Sequence, residues 1–290
     1  MERVLGIFLA ASMAASSLPV CVDDANVDDV PQSASSEQLL PALPKNDAPA
    51  STRTIACWGD SLTEGAGASQ AAVLVDGEKF DVSFLSYPEI LERLTGMTAY
   101  NYGVSGAASD EIAFMQGGLH GLDNFDPFES IDLGTMVQGR LHPGDILVLE
   151  IGSNGGWNGD YDELIAQYRS MIERAGCEDY FIIGDTDDPG TSFADMSQEP
   201  FPEGTGAGET SWEAALREEF GDHFINMRAF LVERGLETAG LEATEEDEED
   251  ANRGCVSEQL RADWTHLNSY GYYAQAVAVY ERGRDLGYWS

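Results

Sequence analysis

The chain has 290 residues, with 15 Lys+Arg against 52 Asp+Glu and a formal net charge of −37. At 43% hydrophobic and 10% aromatic it carries enough apolar surface for a core, which excludes a wholly disordered chain. The charge also argues against nucleic acid, since no basic surface is available to displace counterions from phosphates, and against docking on anionic membranes.

The N-terminus predicts a targeting segment over residues 1–21. Arg3 precedes an apolar stretch from Val4 to Ala15, and the small residues Ser16 and Ser17 follow. Leu18-Pro19-Val20-Cys21 loosely resembles a lipoprotein box, although Val20 stands where a small residue is wanted. Secretion by simple cleavage and lipid anchoring at the cell surface through Cys21 both stay open. Residues 22–52 are rich in Pro, Ser, Ala and Asp without helical or strand periodicity, which predicts an exported acidic linker. The folded domain is expected over 53–290.

Within it, short apolar runs alternate with helical patterns, the signature of a parallel sheet covered on both faces. The expected strands are Thr54–Trp58, Thr98–Tyr102, Ile146–Ile151, Tyr180–Gly184 and Phe224–Met227. Between them, Ser86 and Glu89 form a capping box and Gly96 closes the helix that it opens. Further helices are expected over Tyr161–Ala175, Ser211–Phe220 and Tyr270–Leu286. Two segments break this alternation. Asp185–Gly208 is rich in Gly, Pro and Asp and follows a strand end, where binding loops sit in open α/β sheets. The acidic tract 242–250 is expected to be a solvated loop.

With Cys21 set aside, Cys57, Cys177 and Cys255 remain, so at most one disulfide can form within the chain. Cys57 lies in an apolar run as a small hydrophobe. A Cys177–Cys255 bridge is open, and spacing alone does not establish it. Asp185-Thr186-Asp187-Asp188 faintly resembles the start of a calcium loop, but Met196 occupies the position of the required bidentate Glu. With no clustered His and Cys, a metal site is not expected.

The first strand runs into Gly59-Asp60-Ser61-Leu62-Thr63-Glu64-Gly65, a turn that can present the Ser61 hydroxyl at the crevice or use it merely as a helix cap. A serine nucleophile needs a base held by an orienting acid. Of the four histidines, His142 and His223 sit in structural turns and His120 in a Gly-rich loop with no patterned acid. His266 differs, because Asp263 stands three residues before it, just ahead of the last helix. That spacing lets the carboxylate reach Nδ1 and leaves Nε2 free to take a proton.

Four blocks now stand in order: Gly59-Asp60-Ser61-Leu62, Asn101-Tyr102-Gly103-Val104-Ser105-Gly106, Gly152-Ser153-Asn154 and Asp263-Trp264-Thr265-His266. In these the chain resembles the SGNH (GDSL-type) hydrolases, from about Thr54 to the C-terminus. The resemblance implies a flavodoxin-like three-layer α/β/α domain with a five-stranded parallel sheet, and ester hydrolysis without a cofactor. It implies Ser61 as nucleophile, His266 as base and Asp263 as its orienter. The oxyanion hole would comprise the backbone N–H groups of Ser61 and Gly106 and the side-chain amide of Asn154. One departure is visible: the third block usually reads Gly-x-Asn-Asp, and here Gly155-Gly156-Trp157 follows Asn154.

Trp157 and Trp264 flank the implied catalytic positions and are candidate substrate walls, with plain packing as the competing role. The expected substrate is a short acyl ester, small or on a glycan, with acetylated carbohydrate leading. A lipase or lysophospholipase is the runner-up, and a carbohydrate-binding surface protein without catalysis is the reading from a different class.

Overall fold

The computed structural model describes residues 52–289, except 76, 118–129, 192–200, 203 and 205. The expected signal, Cys21 and nearly all of the linker lie outside the described residues, as do His120 and Met196. Five strands form a parallel sheet: β1 (Thr54–Gly59), β4 (Thr98–Gly103), β5 (Ile146–Glu150), β6 (Tyr180–Ile183) and β7 (Phe224–Ile225), in the order β4-β1-β5-β6-β7. Counting the parallel strands alone, this is the flavodoxin-like order 2-1-3-4-5. A small antiparallel hairpin, β2 (Ala72–Val75) and β3 (Glu78–Asp81), stands apart from it.

The helices are α1 (Ser61–Glu64), α2 (Tyr87–Thr95), α3 (Ser109–Gln116), α4 (Leu133–Leu141), α5 (Tyr161–Ala175) and α6 (Ser211–Phe220). They continue with α7 (Met227–Phe230), α8 (Leu236–Ala239), α9 (Glu245–Asn252) and α10 (Ser269–Asp285). A π turn over Leu231–Gly235 joins α7 to α8. None of the described helices is long and apolar enough to cross a membrane.

The sheet separates two cores because successive strand residues point to opposite faces. Ile55, Cys57, Ile146, Val148, Phe181 and Ile183 pack on one side with α2, α7 and α10. Ala56, Trp58, Leu147, Leu149 and Ile182 pack on the other with α3, α5 and α6. All five residues of β5 are buried, as its uninterrupted apolar run requires.

Several helix ends form as the sequence indicates. Ser86 caps α2, its N–H donating to the Glu89 carboxylate at 2.9 Å, and Gly96 ends that helix in a left-handed conformation. α5 and α6 have the expected limits, and α10 begins one residue earlier than expected. β7 is shorter than its apolar run, because Asn226 caps α7 through the Ala229 N–H.

One expectation is corrected, and two points that the sequence left open are answered. The acidic tract is not a solvated loop, since Glu245–Asn252 forms α9 behind a Thr244–Asp247 capping box. Asp247 turns inward to accept bonds from Ser257 and Gln259, which orders the segment. Cys177 and Cys255 are both free, so the open bridge is not formed. Trp157 is not a substrate wall: it is 1% exposed, with its Nε1 donating to the Gly152 carbonyl and its ring beside Trp212 and Tyr161.

Candidate active site

The candidate site lies at the carboxyl ends of β1 and β5, where the strand order reverses. β1 delivers Ser61 to the first position of α1. Asp60 caps that turn, its Oδ1 accepting from the Leu62 N–H at 3.0 Å. The turn fits only because its neighbours are small. A Cβ at Gly59 would collide with the Thr63 side chain and the Glu150 carbonyl, and one at Gly103 would collide with the Glu64 backbone.

From the far end of the chain, the turn before α10 delivers Asp263 and His266. His266 Nδ1 lies 2.9 Å from Asp263 Oδ2 and 3.1 Å from Oδ1, and His266 Nε2 lies 3.0 Å from Ser61 Oγ. The His266 and Thr265 N–H groups also donate to Asp263 Oδ1. Burial works against the Asp263 charge, but these bonds and the neighbouring imidazole hold its carboxyl below the usual range. With the proton on Nδ1 directed at Asp263, Nε2 is left to accept from the serine hydroxyl. This geometry permits proton removal from Ser61.

Two further blocks close the site. Gly106, at φ +78°, follows β4, and Asn154 follows β5. Neither the Ser61 nor the Gly106 N–H donates to an acceptor among the described residues. Asn154 Nδ2 donates to Asp60 Oδ2 at 3.1 Å and to the Ala107 carbonyl at 3.3 Å, and the longer bond is the weaker. The altered third block is ordered by other means. The Gly155 carbonyl accepts from both the N–H and the hydroxyl of Ser109, and the Gly156 carbonyl accepts from Gln167. Gly156 has φ +88°, and a Cβ there would press on Asp110 and Ser109.

Residues to which the motifs assigned no role support these four loops. The Glu64 carboxylate accepts from the N–H and hydroxyl of Ser105, next to Gly106. Asn101 Nδ2 donates to the Thr63 carbonyl while its Oδ1 accepts from the Gly103 N–H, tying β4 to α1. Asp60 and Glu150 are both buried at the Ser61 turn. Burial, with Asp185 nearby, pushes Asp60 up to about 7, and burial with Asp60 nearby pushes Glu150 well above the usual carboxylate range. An acid immediately before the serine at a strand end was the available signal for Asp60, whereas Glu64 gave none beyond its place in a turn. Trp264, two residues before His266 in the chain, is 51% exposed. His142 stacks on Tyr100, and His223 lies between Tyr180 and Tyr288, both away from the Ser61–His266 pair in structural roles.

Residues 57–274 match the family model of the GDSL-like lipases/acylhydrolases. The chain belongs to the GDSL-like Lipase/Acylhydrolase family. A protein from Desulfitobacterium hafniense DCB-2 assigned to the G-D-S-L lipolytic family is similar at 13% identity and a TM-score of 0.43, covering 80% of this chain and 98% of that one. A protein from Agrobacterium tumefaciens assigned as an arylesterase is 17% identical, with a TM-score of 0.42 over 81% of this chain and 99% of that one. A carbohydrate esterase family 2 enzyme with a carbohydrate-binding domain, from Corynascus thermopiles, is 14% identical, with a TM-score of 0.42 over 83% of this chain and 68% of that one. None of the curated proteins matches the chain. Family membership implies ester hydrolysis as the general activity.

Proposed function

We propose that the protein is a serine esterase that works through an acyl-enzyme, with Ser61 as nucleophile, His266 as general base and Asp263 as its orienter. The observation that carries this reading is the continuous line from Asp263 through both ring nitrogens of His266 to Ser61 Oγ, each link near 3 Å. In it, His266 takes the Ser61 proton as Oγ attacks the ester carbonyl. The Ser61 and Gly106 N–H groups and the Asn154 amide stabilise the oxyanion, the amide by exchanging its longer bond to Ala107 for one to substrate. The imidazolium then protonates the departing alcohol. Water attacks the acyl-enzyme with His266 again as base, the acid leaves, and Ser61 regains its proton.

For substrate, the reading extends to short acyl esters, with acetyl groups on carbohydrate first. It is supported by Trp264, an exposed aromatic two residues before His266 in the same turn, of a kind that suits a small acyl group or the face of a sugar. Burial of Trp157 removes the second aromatic wall that a deep acyl channel could have used. The large negative charge favours neutral esters over polyanionic ones. Export through residues 1–21 belongs to the same proposal, and the mass of the mature N-terminus from a secreting host tests it.

Hydrolysis of p-nitrophenyl acetate, butyrate and octanoate by the full chain, with Ser61→Ala beside it, tests the activity. Turnover fastest on acetate and lost in Ser61→Ala supports the reading. Preference for octanoate replaces it with a lipase, and equal inactivity of both proteins removes the esterase assignment.

A further inference from the structure

The loop after β6 resembles the opening of a calcium loop in sequence, yet its aspartates face protein donors. Asp185 Oδ1 accepts from the N–H groups of Thr186 and Asp187, at 2.8 and 3.2 Å. Asp187 Oδ1 accepts from the Thr265 hydroxyl at 2.8 Å. Asp188 Oδ1 accepts from the Val256 N–H and from Arg261 Nη2, both at 2.8 Å. Arg261, with its side chain 1% exposed, also donates to the carbonyls of Thr186 and Trp264. Residues on both sides of Asp263 are therefore tied to one loop, and that loop leaves a buried strand.

Asp263 itself needs such support. Its side chain is 49% exposed, and the bonds it accepts come from Thr265 and His266, within its own turn. A carboxylate in that position can drift with its turn, and an orienting group must hold its partner to a fraction of an ångström.

We propose that the Asp185–Asp188 loop is the seat of the base turn, and that Asp187, acting through Thr265, is a positioning residue that keeps Asp263 and His266 aimed at Ser61. The proposal rests on the reading of His266 as the base. Burial, with Asp185 beside it, pushes the Asp187 carboxyl up, and what Thr265 uses of it is a single acceptor oxygen. Asparagine keeps that acceptor, which makes Asp187→Asn the conservative variant and Asp187→Ala the disruptive one.

The test uses the full chain, Thr265→Val, Thr265→Ser, Asp187→Ala, Asp187→Asn and the double variant Thr265→Val/Asp187→Ala. With p-nitrophenyl acetate, Thr265→Val and Asp187→Ala are expected to lower kcat roughly 10- to 50-fold while KM stays within about twofold. Thr265→Ser and Asp187→Asn should recover most of the rate, and the double variant should be no slower than the slower single. A Thr265→Val kcat within about twofold of wild type, or losses that multiply in the double variant, overturns the proposal.

Long-range 1H–15N spectra of the neutral His266 ring give a readout that needs no turnover. The wild type should show the Nδ1–H tautomer alone and Thr265→Val a mixture, while an unchanged tautomer in Thr265→Val contradicts the seat. If the wild type hydrolyses no faster than Ser61→Ala, the esterase reading has failed, and the spectra alone decide the seat.

Discussion

The Asp60 carboxylate links two loops across the point where the strand order reverses: one oxygen accepts from the Leu62 N–H that opens α1, the other from the Asn154 amide at 3.1 Å. The Ser61 turn and the Asn154 amide, the proposed side-chain oxyanion donor, are thereby fixed to the same buried group. Asn154→Ala should lower kcat by about 10²- to 10³-fold with little change in KM, the usual effect of losing one such donor. Asp60→Asn keeps only one of the two acceptor oxygens and should cost roughly 10- to 100-fold through misplacement of Asn154. Steady-state kinetics on one ester check both, and an Asp60→Asn enzyme as fast as wild type would break the link.

The two tryptophans should part company. Trp157→Ala opens a cavity in the core beneath Trp212 and Tyr161 and should lower the unfolding free energy by about 3–5 kcal/mol. Trp264→Ala removes a half-exposed ring and should leave stability nearly unchanged while raising KM several-fold. Denaturant titration beside Michaelis–Menten analysis separates them. An unchanged KM in Trp264→Ala would take that ring out of the substrate site.

Stability should fall as pH rises from about 5 to about 8. Asp60, Glu150 and Asp187 all have carboxyls raised by burial, so the folded chain binds more protons than the unfolded chain between the ordinary carboxylate range and their raised values. Under linkage the slope is then negative in that window. Asp247 is the opposite case: burial opposes its charge, but bonds from Ser257, Thr244 and Gln259 hold it down at about 2. Its contribution is present above the ordinary Asp range and is lost only in acid. Thermal midpoints at several pH values check the slope, which Glu150→Gln should flatten. A midpoint that climbs from pH 5 to pH 8 would reject this assignment.

Arg228 makes a buried pair with Glu213 at 2.6 and 2.8 Å and also donates to the carbonyls of Ala207 and Gly254. Arg228→Met leaves Glu213 buried without its partner and should lower the unfolding free energy by about 3–5 kcal/mol. Replacing both residues with apolar ones should recover part of that loss, and denaturant titration of the single and double variants measures it.

What was legible in the sequence follows from burial. Parallel strands covered on both faces appear as apolar runs, so β1 and β5 stand out with their ends nearly right. The hairpin β2–β3 escapes notice because its strands are short and half-exposed, with Leu74 outward and Val73 inward. α4 hides for the opposite reason. Its apolar residues Leu133, Val137 and Leu141 are exposed, and the position that packs on Trp58 is Gly139, which no hydrophobic pattern reveals. α9 has no apolar stripe at all, and only the Thr244–Asp247 capping pair marks its start.

At the site, the Asp263–His266 spacing and the strand-end position of Ser61 were readable because both are local. Contacts between distant loops were not. Thr265 and Asp187 are 78 positions apart, and the pairing depends on how β6 and the turn before α10 come together. Trp157 shows the same limit from the other side. Its place beside Asn154 suggested a substrate wall, while the left-handed glycines Gly155 and Gly156 turn the chain so that the ring enters the core.

The proposed esterase activity rests on Ser61 as nucleophile, activated by His266. The most direct measurement is covalent labelling of the full chain with a fluorophosphonate, followed by mass spectrometry of the modified peptide and repeated on Ser61→Ala and His266→Ala. Stoichiometric adduct on Ser61, absent in Ser61→Ala and at least 10²-fold slower in His266→Ala, is the expected result. No adduct on the folded wild type, or an adduct on another residue, would contradict it.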